Sequence, residues 1–277
     1  MSTNAFIAVG YDGSPDARAA LSWVAEVATL RKEAIVVTIV VDGKDNPRGV
    51  GWPESWWADI EDSARDILGD FPRVEYRLAR VAGNKVEMLS EAARDASMLV
   101  VGSHGHSVVG QVFIGSVSQA VARHAASPVV VVREPQTPYA GRIVVGSDAG
   151  EPSTRALEFA CTMAEVTGDK VAVIRAWQPA TVPQDRYGYA PLTTGSLEVH
   201  QARLEVTVEQ LAAAHPTVAI QGDVVETSPA RALVDASASA SLVVVGSHGR
   251  NAVAEVMLGS VSHAVLHRAH CPVAVVE

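Results

Sequence analysis

The chain has 277 residues, of which 48% are apolar and 19% are charged, and its formal net charge is −9 with a pI near 5.5. At roughly 150 residues per domain, this length predicts two domains, and the apolar content excludes intrinsic disorder. The negative charge argues against nucleic acid as a partner, because proteins that bind it carry basic faces. The negative charge is compatible with a small phosphorylated ligand.

The first half of the chain alternates short apolar runs with stretches of helical spacing. Continuously apolar strands separated by helices indicate a parallel sheet with helices on both faces. Three tryptophans, Trp52, Trp56 and Trp57, are predicted to cluster in a loop beside the second strand. The predicted strands are Ala5–Val9, Ala34–Val41, Val74–Leu78, Met98–Val101 and Val129–Val132, and the third helix is predicted at about Lys85–Ala96.

The second half repeats the first. Residues 6–12 read FIAVGYD and residues 142–148 read RIVVGSD; residues 114–132 and 258–276 match over their whole length. The offset is 136 residues at the start of each half and 144 from about Val74 onward, which places eight extra residues most simply in Gln178–Gly195. The repeated strands and third helix are predicted at Ile143–Val145, Val171–Trp177, Val218–Val225, Leu242–Val245, Val273–Val276 and Pro229–Ala238.

These patterns predict a tandem duplication of doubly wound α/β domains. The domains are predicted at residues 1–134 and 141–277, joined by the proline-containing linker Glu134–Ala140. Each fifth strand begins after a proline, as strand starts allow. If both are sheet edges, their apolar surface invites association, so we expect them to pair with each other as a pseudo-twofold dimer within one chain. A further homodimer is compatible with the sequence.

A glycine-punctuated loop follows the fourth strand in both copies. Gly102-Ser-His-Gly105 is followed after nine residues by Gly115-Ser116, and Gly246-Ser-His-Gly249 is followed after nine residues by Gly259-Ser260. Glycine lets backbone N–H groups approach a ligand closely. The second glycine opens a predicted helix, whose N-terminus suits a phosphate group. Alternatively, the glycines only form turns and the serines only cap helices.

The ends of the first strands are expected beside this loop, because ligands in doubly wound sheets bind beyond the carboxyl ends of the strands. Gly10 and Asp12 occupy this place in the first copy, and Gly146 and Asp148 in the second. An aspartate there predicts a contact to a ribose hydroxyl, a metal or a helix N–H; the alternative is an N-cap or Asx-turn. The loop lacks the Walker A lysine, so phosphate charge would be met by backbone dipoles, serine hydroxyls, a divalent cation such as Mg²⁺, and Arg250.

These motifs resemble the universal stress protein family, and the resemblance covers both halves. It implies a five-stranded parallel sheet of order 3-2-1-4-5 in each domain and one bound ATP per domain. It also implies that the backbone at Val41 holds the adenine, with Trp177 as its counterpart. The second copy departs in having Ala149 and Gly150 after Asp148, and Arg250 in place of His106. The binding residues implied by the motif are Gly10, Asp12, Val41, Gly102, Ser103, His104, Gly105, His106, Gly115, Ser116, Val117 and Ser118 in the first copy, and Gly146, Asp148, Trp177, Gly246, Ser247, His248, Gly249, Arg250, Gly259, Ser260, Val261 and Ser262 in the second.

The leading interpretation is an ATP-binding stress-response or regulatory protein with no catalytic residues and no metal site of its own. A slow ATPase would need a base and a charge-neutralising cation. The candidates for those roles are His106 and Arg250, and neither occurs in both copies. A third interpretation is an interaction module that binds no nucleotide, or binds cyclic AMP.

The cellular setting is predicted from what the chain lacks. The longest apolar runs are far shorter than the roughly 20 residues of a membrane helix, and the start has no basic n-region of a signal peptide. We therefore expect no membrane partner. Cys161 and Cys271 lie far apart and in no metal-binding spacing, which predicts buried reduced thiols in a cytoplasmic protein.

Overall fold

The computed structural model describes residues 5–42, 53–105, 114–133, 141–148, 151–178, 197–248 and 258–277, and all structural statements refer to these. Within them the chain forms alternating strands and helices, as the sequence predicts. The strands are β1 Phe6–Gly10, β2 Ala34–Val41, β3 Tyr76–Ala82, β4 Met98–Gly102, β5 Val129–Val132, β6 Arg142–Gly146, β7 Lys170–Trp177, β8 Ile220–Glu226, β9 Leu242–Gly246 and β10 Val273–Val276. The helices are α1 Pro15–Arg31, α2 Glu54–Gly69, α3 Lys85–Ala92, α4 Ser116–His124, α5 Glu151–Thr167, α6 Leu197–Ala214, α7 Pro229–Ser237 and α8 Ser260–Arg268.

The strands form one sheet in the order β3-β2-β1-β4-β5-β10-β9-β6-β7-β8. Strands within each half are parallel, and the two halves meet through an antiparallel pair. Each half therefore has the order 3-2-1-4-5, which confirms the expected doubly wound class. The reversal of strand order falls between β1 and β4 in the first half and between β6 and β9 in the second.

The join between the halves is the pairing of β5 with β10. Val131 lies opposite Val273 in this pair. Ser103 N–H donates to Val132 O at 2.7 Å, so Val132 presents its backbone groups to β4. Because consecutive residues of a strand point these groups to opposite sides, Val131 presents its own to β10. The expected pairing of the fifth strands is confirmed.

A side chain at the end of β5 reinforces the join. Arg133 donates to the backbone carbonyl of Leu266 in α8, across the boundary between the halves. Burial lowers the pKa of Arg133. The contact therefore places a half-buried cation between the first half and the last helix of the second.

Helices cover both faces of the sheet, and each strand near its middle is buried on both sides, which explains the unbroken apolar runs. Some boundaries differ from the sequence prediction. The third strands begin two residues later than expected. The helix α3 ends at Ala92 rather than Ala96, because Arg94 N–H donates to Glu91 O and Ala96 N–H donates to Ala93 O, and these tight-turn bonds replace the α-helical pattern. The loop prediction for the tryptophans was wrong for Trp56 and Trp57, which lie in the first turn of α2; Trp52 falls outside the described residues.

Both cysteines are free and buried, as predicted. Burial raises the pKa of Cys161 to about 11 and that of Cys271 to about 12. Thiols held protonated in this way are poor nucleophiles. Among the described residues, no helix combines the length and the apolar character needed to cross a membrane.

One histidine joins the second helix of the second half to its neighbour. His215 Nδ1 lies 2.8 Å from Glu165 Oε1, and its Nε2 lies 2.9 Å from Glu158 Oε2. The hydrogen bond to Glu165 and, to a lesser extent, the one to Glu158 raise the pKa of His215; both glutamates lie in α5. Both contacts are ion pairs only when the ring is protonated.

We expect this clamp to stabilise the fold at acidic pH and to weaken as the pH rises. The folded-state pKa of His215 lies above the ordinary value of about 6.5, so the stabilisation is fully present below that value and is lost as the pH rises through the folded pKa. Urea unfolding of the wild type and His215→Gln, from about pH 5.5 to about pH 9, should show a stability difference that shrinks with rising pH. A difference that stays constant would contradict this assignment.

Candidate nucleotide site

A cavity of about 400 Å³ opens at the carboxyl ends of the first-half strands, where the strand order reverses. The start of α4 faces it from one side, and the end of β2 with the first turn of α2 from the other. The described residues that line it are Gly10, Tyr11, Asp12, Ala17, Thr38, Ile39, Val40, Trp56, Lys85, Leu89, Val101, Gly102, His104, Gly105, Gly115, Ser116, Val117 and Ser118.

The glycine loop is folded back onto the start of α4. Gly115 N–H donates to Ser103 O at 2.7 Å, and Ser118 Oγ donates to Gly102 O at 2.6 Å. A Cβ atom on Gly115 would lie 3.1 Å from Ser103 O, and one on Gly105 would lie 2.9 Å from Asp12 Oδ2. The glycines thus keep a narrow space open in front of the helix N-terminus.

Gly102 has a packing role of its own. A Cβ atom there would lie 2.7 Å from Ala17 N and 2.7 Å from the carbonyl carbon of Asp16. Real Cβ atoms do not approach backbone so closely, so any side chain at this position would push β4 away from α1. The packing of β4 against α1 therefore requires a glycine at position 102, which supports a structural role for this residue.

Asp16, in the first turn of α1, holds the loop in place. Its Oδ2 accepts hydrogen bonds from Ser103 Oγ at 2.5 Å, from His104 N–H at 2.9 Å and from His104 Nδ1 at 2.9 Å. Ser103 is almost fully buried and does not line the cavity, although the sequence predicts it as a binding residue. Its hydroxyl faces the Asp16 carboxylate and therefore stabilises the loop instead of facing the cavity.

Replacing Asp16 with alanine should loosen this loop. Three donors would lose their acceptor, and unsatisfied donors that are largely buried cost about 1 to 3 kcal/mol. Chemical denaturation should report this loss, together with weaker ligand binding in the first copy alone, because Pro152 occupies the corresponding position in the second. Asp66→Ala, an exposed carboxylate on α2, is the matched control; equal effects of the two substitutions would contradict the assigned role.

Asp12 both stabilises the turn before α1 and lines the cavity. Its Oδ1 accepts from Ser14 N–H at 3.0 Å, which is the Asx-turn anticipated as an alternative. Ser14 in turn caps α1 by accepting from Ala17 N–H at 3.3 Å. The side chain of Asp12 nevertheless lines the cavity, with Oδ2 directed toward Gly105.

Lys85 brings a positive charge to the first cavity from an element that the motif does not include. It follows the N-cap Asn84 at the start of α3, and its side chain lines the cavity wall. The glycine loop itself contains no lysine, and the fold supplies one from the neighbouring helix.

A second cavity of about 260 Å³ occupies the corresponding place in the second half. Gly259 N–H donates to Ser247 O at 2.8 Å, and Ser262 Oγ donates to Gly246 O at 2.6 Å, as in the first half. The described residues that line it are Gly146, Ser147, Asp148, Ser153, Ile174, Arg175, Ala176, His200, Pro229, Leu233, Val245, Gly246, His248, Gly259, Ser260, Val261 and Ser262.

Two predicted adenine contacts lie off the cavity walls among the described residues. Val41 is buried one residue beyond the lining residues of β2, and its carbonyl accepts from Gly83 N–H at 3.0 Å. The ring of Trp177 stacks on His200, with centroids 5.5 Å apart, and His200 rather than Trp177 lines the second cavity. Ser247, like Ser103, is buried beside its cavity without lining it.

The remaining predicted residues gather as expected or lie outside the described chain. Those that line their cavities are Gly10, Asp12, Gly102, His104, Gly105, Gly115, Ser116, Val117, Ser118, Gly146, Asp148, Gly246, His248, Gly259, Ser260, Val261 and Ser262. The predictions for His106, Gly249 and Arg250, and for the linker and the eight-residue insertion, fall largely or wholly outside the described residues.

Two buried ring nitrogens are left to be satisfied at the cavities. His104 Nε2 and His248 Nε2 have no hydrogen-bond partner among the described residues. In His104, donation from Nδ1 to Asp16 makes Nε2 of the neutral ring an acceptor. Buried polar atoms are normally paired, so an orphan at the same place in both halves is consistent with a ligand that completes the site.

The described residues contain no cluster of three or more histidine, cysteine or acidic side chains suited to holding a metal ion. A Mg²⁺ ion in either cavity would therefore take oxygen ligands from a bound phosphate as well as from the protein. Asp12 and Asp148 are the carboxylates that line the two cavities.

Comparison with known proteins identifies one family across both halves. The universal stress protein family matches residues 6–133 and 140–277. Universal stress protein Rv2005c of Mycobacterium tuberculosis is 33% identical over 97% of this chain and 96% of its own, and Rv1996 of the same organism is 32% identical over 99% and 95%. The crystal structure of a universal stress protein from Archaeoglobus fulgidus covers 100% of this chain and 99% of its own, with a TM-score of 0.72 and 20% identity.

Proposed function

Since this chain belongs to the universal stress protein family, we propose that it is a regulatory nucleotide-binding protein that takes up one ATP in each half. The observation that carries the proposal is the repeated geometry of the glycine loops. In both halves a loop glycine and a serine open a helix that faces a cavity at the switch point of the sheet. A helix N-terminus with free N–H groups favours phosphate.

The first cavity suggests how the ligand lies. The phosphates would rest on Gly105, Gly115 and Ser116, with Lys85 and the dipole of α4 balancing their charge. Asp12, which lines the cavity beside Gly105, would face the ribose. Because neighbouring strands are about 4.8 Å apart, β2 lies roughly 10 Å from β4, so the base would reach the end of β2 and Trp56.

We propose binding without dedicated catalysis. Hydrolysis of ATP requires a positioned base and a cation that neutralises charge in the transition state. The contacts of His104 with Asp16 are shared with Ser103, and we assign this cluster the role of holding the glycine loop. When bound, Mg²⁺ would supply charge neutralisation to the phosphates, and the protein would act through occupancy of its sites. We propose the cytoplasm as its location, consistent with two buried free thiols.

Mass spectrometry of the nucleotide released by denaturing the purified protein tests this function. Bound ATP, or uptake of ATP by protein stripped of ligand, supports it. ADP accompanied by measurable turnover would instead favour a slow ATPase. No nucleotide after incubation with ATP, or cyclic AMP in its place, would contradict the proposal.

A further inference from the structure

The two cavities differ in chemistry at the end away from the glycine loops. In the first half, Ile39 of β2 and Trp56 of α2 line this end. The offsets of 136 and 144 residues place Arg175 of β7 and His200 of α6 at the same positions in the second half, and both line the second cavity. An apolar and aromatic wall in one half is thus a basic wall in the other.

The guanidinium of Arg175 is built into this wall. Its side chain is buried, with only 4% of the residue exposed, and Nε donates to His200 Nδ1 at 3.1 Å. His200 is held in turn by stacking on Trp177, whose ring plane is tilted by 24° from that of the imidazole. A donor fork fixed in this way is preorganised to recognise acceptors on a ligand.

The position of Arg175 corresponds to the base end of a nucleotide. Its strand, β7, is separated from β9 by β6, which at about 4.8 Å per strand places it roughly 10 Å from the phosphate-facing loop. A ligand whose phosphates rest at Gly259 and Ser260 would therefore present its base to Arg175.

Resting on the proposed function, we infer that the second cavity prefers a guanine nucleotide to an adenine nucleotide. The parallel N–H groups of an arginine match the O6 and N7 acceptors of guanine, whereas adenine places an amino donor where guanine has O6. In the first cavity, Trp56 offers a ring face that stacks on any base, and Ile39 adds no donor. The chain would then carry two sites of different base preference.

Isolating the second site tests this inference. Calorimetric titration of Gly115→Glu, in which the second site alone remains, should give GTP affinity at least roughly tenfold above ATP affinity. Arg175→Ile, added to this variant, installs an aliphatic residue like Ile39 and should abolish the preference. Arg175→Lys, which keeps the charge but not the fork, should reduce it. Arg203→Ile, on an exposed part of α6, is the control for the same chemical change and should leave the preference intact.

The outcomes separate the inference from the function beneath it. Nucleotide binding without a GTP preference, or a preference that survives Arg175→Ile and Arg175→Lys, overturns the inference alone. Absence of both ATP and GTP binding in the wild type overturns the proposed function and the inference with it. Circular dichroism checks that each variant is folded, and the lysine variant provides the test if the isoleucine variant unfolds.

Discussion

Replacing Gly115 with glutamate is expected to abolish nucleotide binding in the first half while the second site and the fold persist. The new side chain would start 3.1 Å from Ser103 O and would place a carboxylate where phosphate is expected. Gly259→Glu should act in the same way on the second site, and the double variant should bind no nucleotide. We expect the nucleotide affinity of each altered site to fall by at least about a hundredfold, which is about 2.8 kcal/mol.

The fold should tolerate both substitutions. Gly115 and Gly259 precede their helices with φ −64° and −59°, a conformation that any residue adopts. Gly69→Glu, at a surface position with no atom within 4 Å of its Cβ, introduces the same charge and serves as the matched control. Titration calorimetry on the four variants, with circular dichroism for folding, decides the outcome. Binding that persists in a folded double variant would refute the site assignment.

Placing proline at Val131 is expected to break the join between the halves. Val131 is fully buried opposite Val273, and its N–H faces β10. Proline therefore removes a donor and leaves its partner unsatisfied in the middle of the sheet. We expect a loss of roughly 3 to 5 kcal/mol in unfolding free energy. Val131→Ala keeps the N–H and should cost less, because only side-chain packing is lost.

Separation of the halves measures the join itself. A protease site introduced between residues 134 and 140 allows the chain to be cut, and size-exclusion chromatography then reports whether the halves stay together. Because the two halves are nearly equal in length, the cut protein with Val131 should elute at the mass of the whole chain and the cut proline variant at about half that mass. Elution of the cut proline variant at the mass of the whole chain, with unchanged stability, would contradict the assigned join.

The fold was predictable because the signals for it are local and occur twice. Unbroken apolar runs such as Ala34–Val41 indicate buried parallel strands, and the two prolines before the fifth strands mark where those strands begin. The third strands were placed too early because these edge strands are half-exposed, with a mixed pattern in Tyr76–Ala82 that apolar runs do not capture.

The site was predictable only where the motif is contiguous in sequence. The glycine loops and the aspartates after the first strands converge as expected. Lys85, Trp56 and Asp16 come from other elements, and their approach depends on how the helices pack on the sheet. Trp56 was placed in a loop because the start of α2 follows Pro53 and has no side-chain cap to announce it.

A signal for the difference between the cavities does exist in the sequence. At the offset of 136 residues, Arg175 corresponds to Ile39. A basic residue inside an otherwise apolar strand such as Lys170–Trp177 indicates a polar surface near it. The shared motif does not contain this difference, because a motif consists of what the two copies have in common. The loss of Asp16, replaced by Pro152, is visible in the same way.

The central claim is that each half of the chain holds one nucleotide, and saturation stoichiometry tests it most directly. Protein stripped of ligand is equilibrated with excess Mg²⁺ and ATP, and the bound nucleotide is counted per chain by equilibrium dialysis. At saturation we predict two ATP molecules per chain, the tighter one lost in Gly115→Glu and the weaker one lost in Gly259→Glu. A value of one or none at saturation would contradict the account.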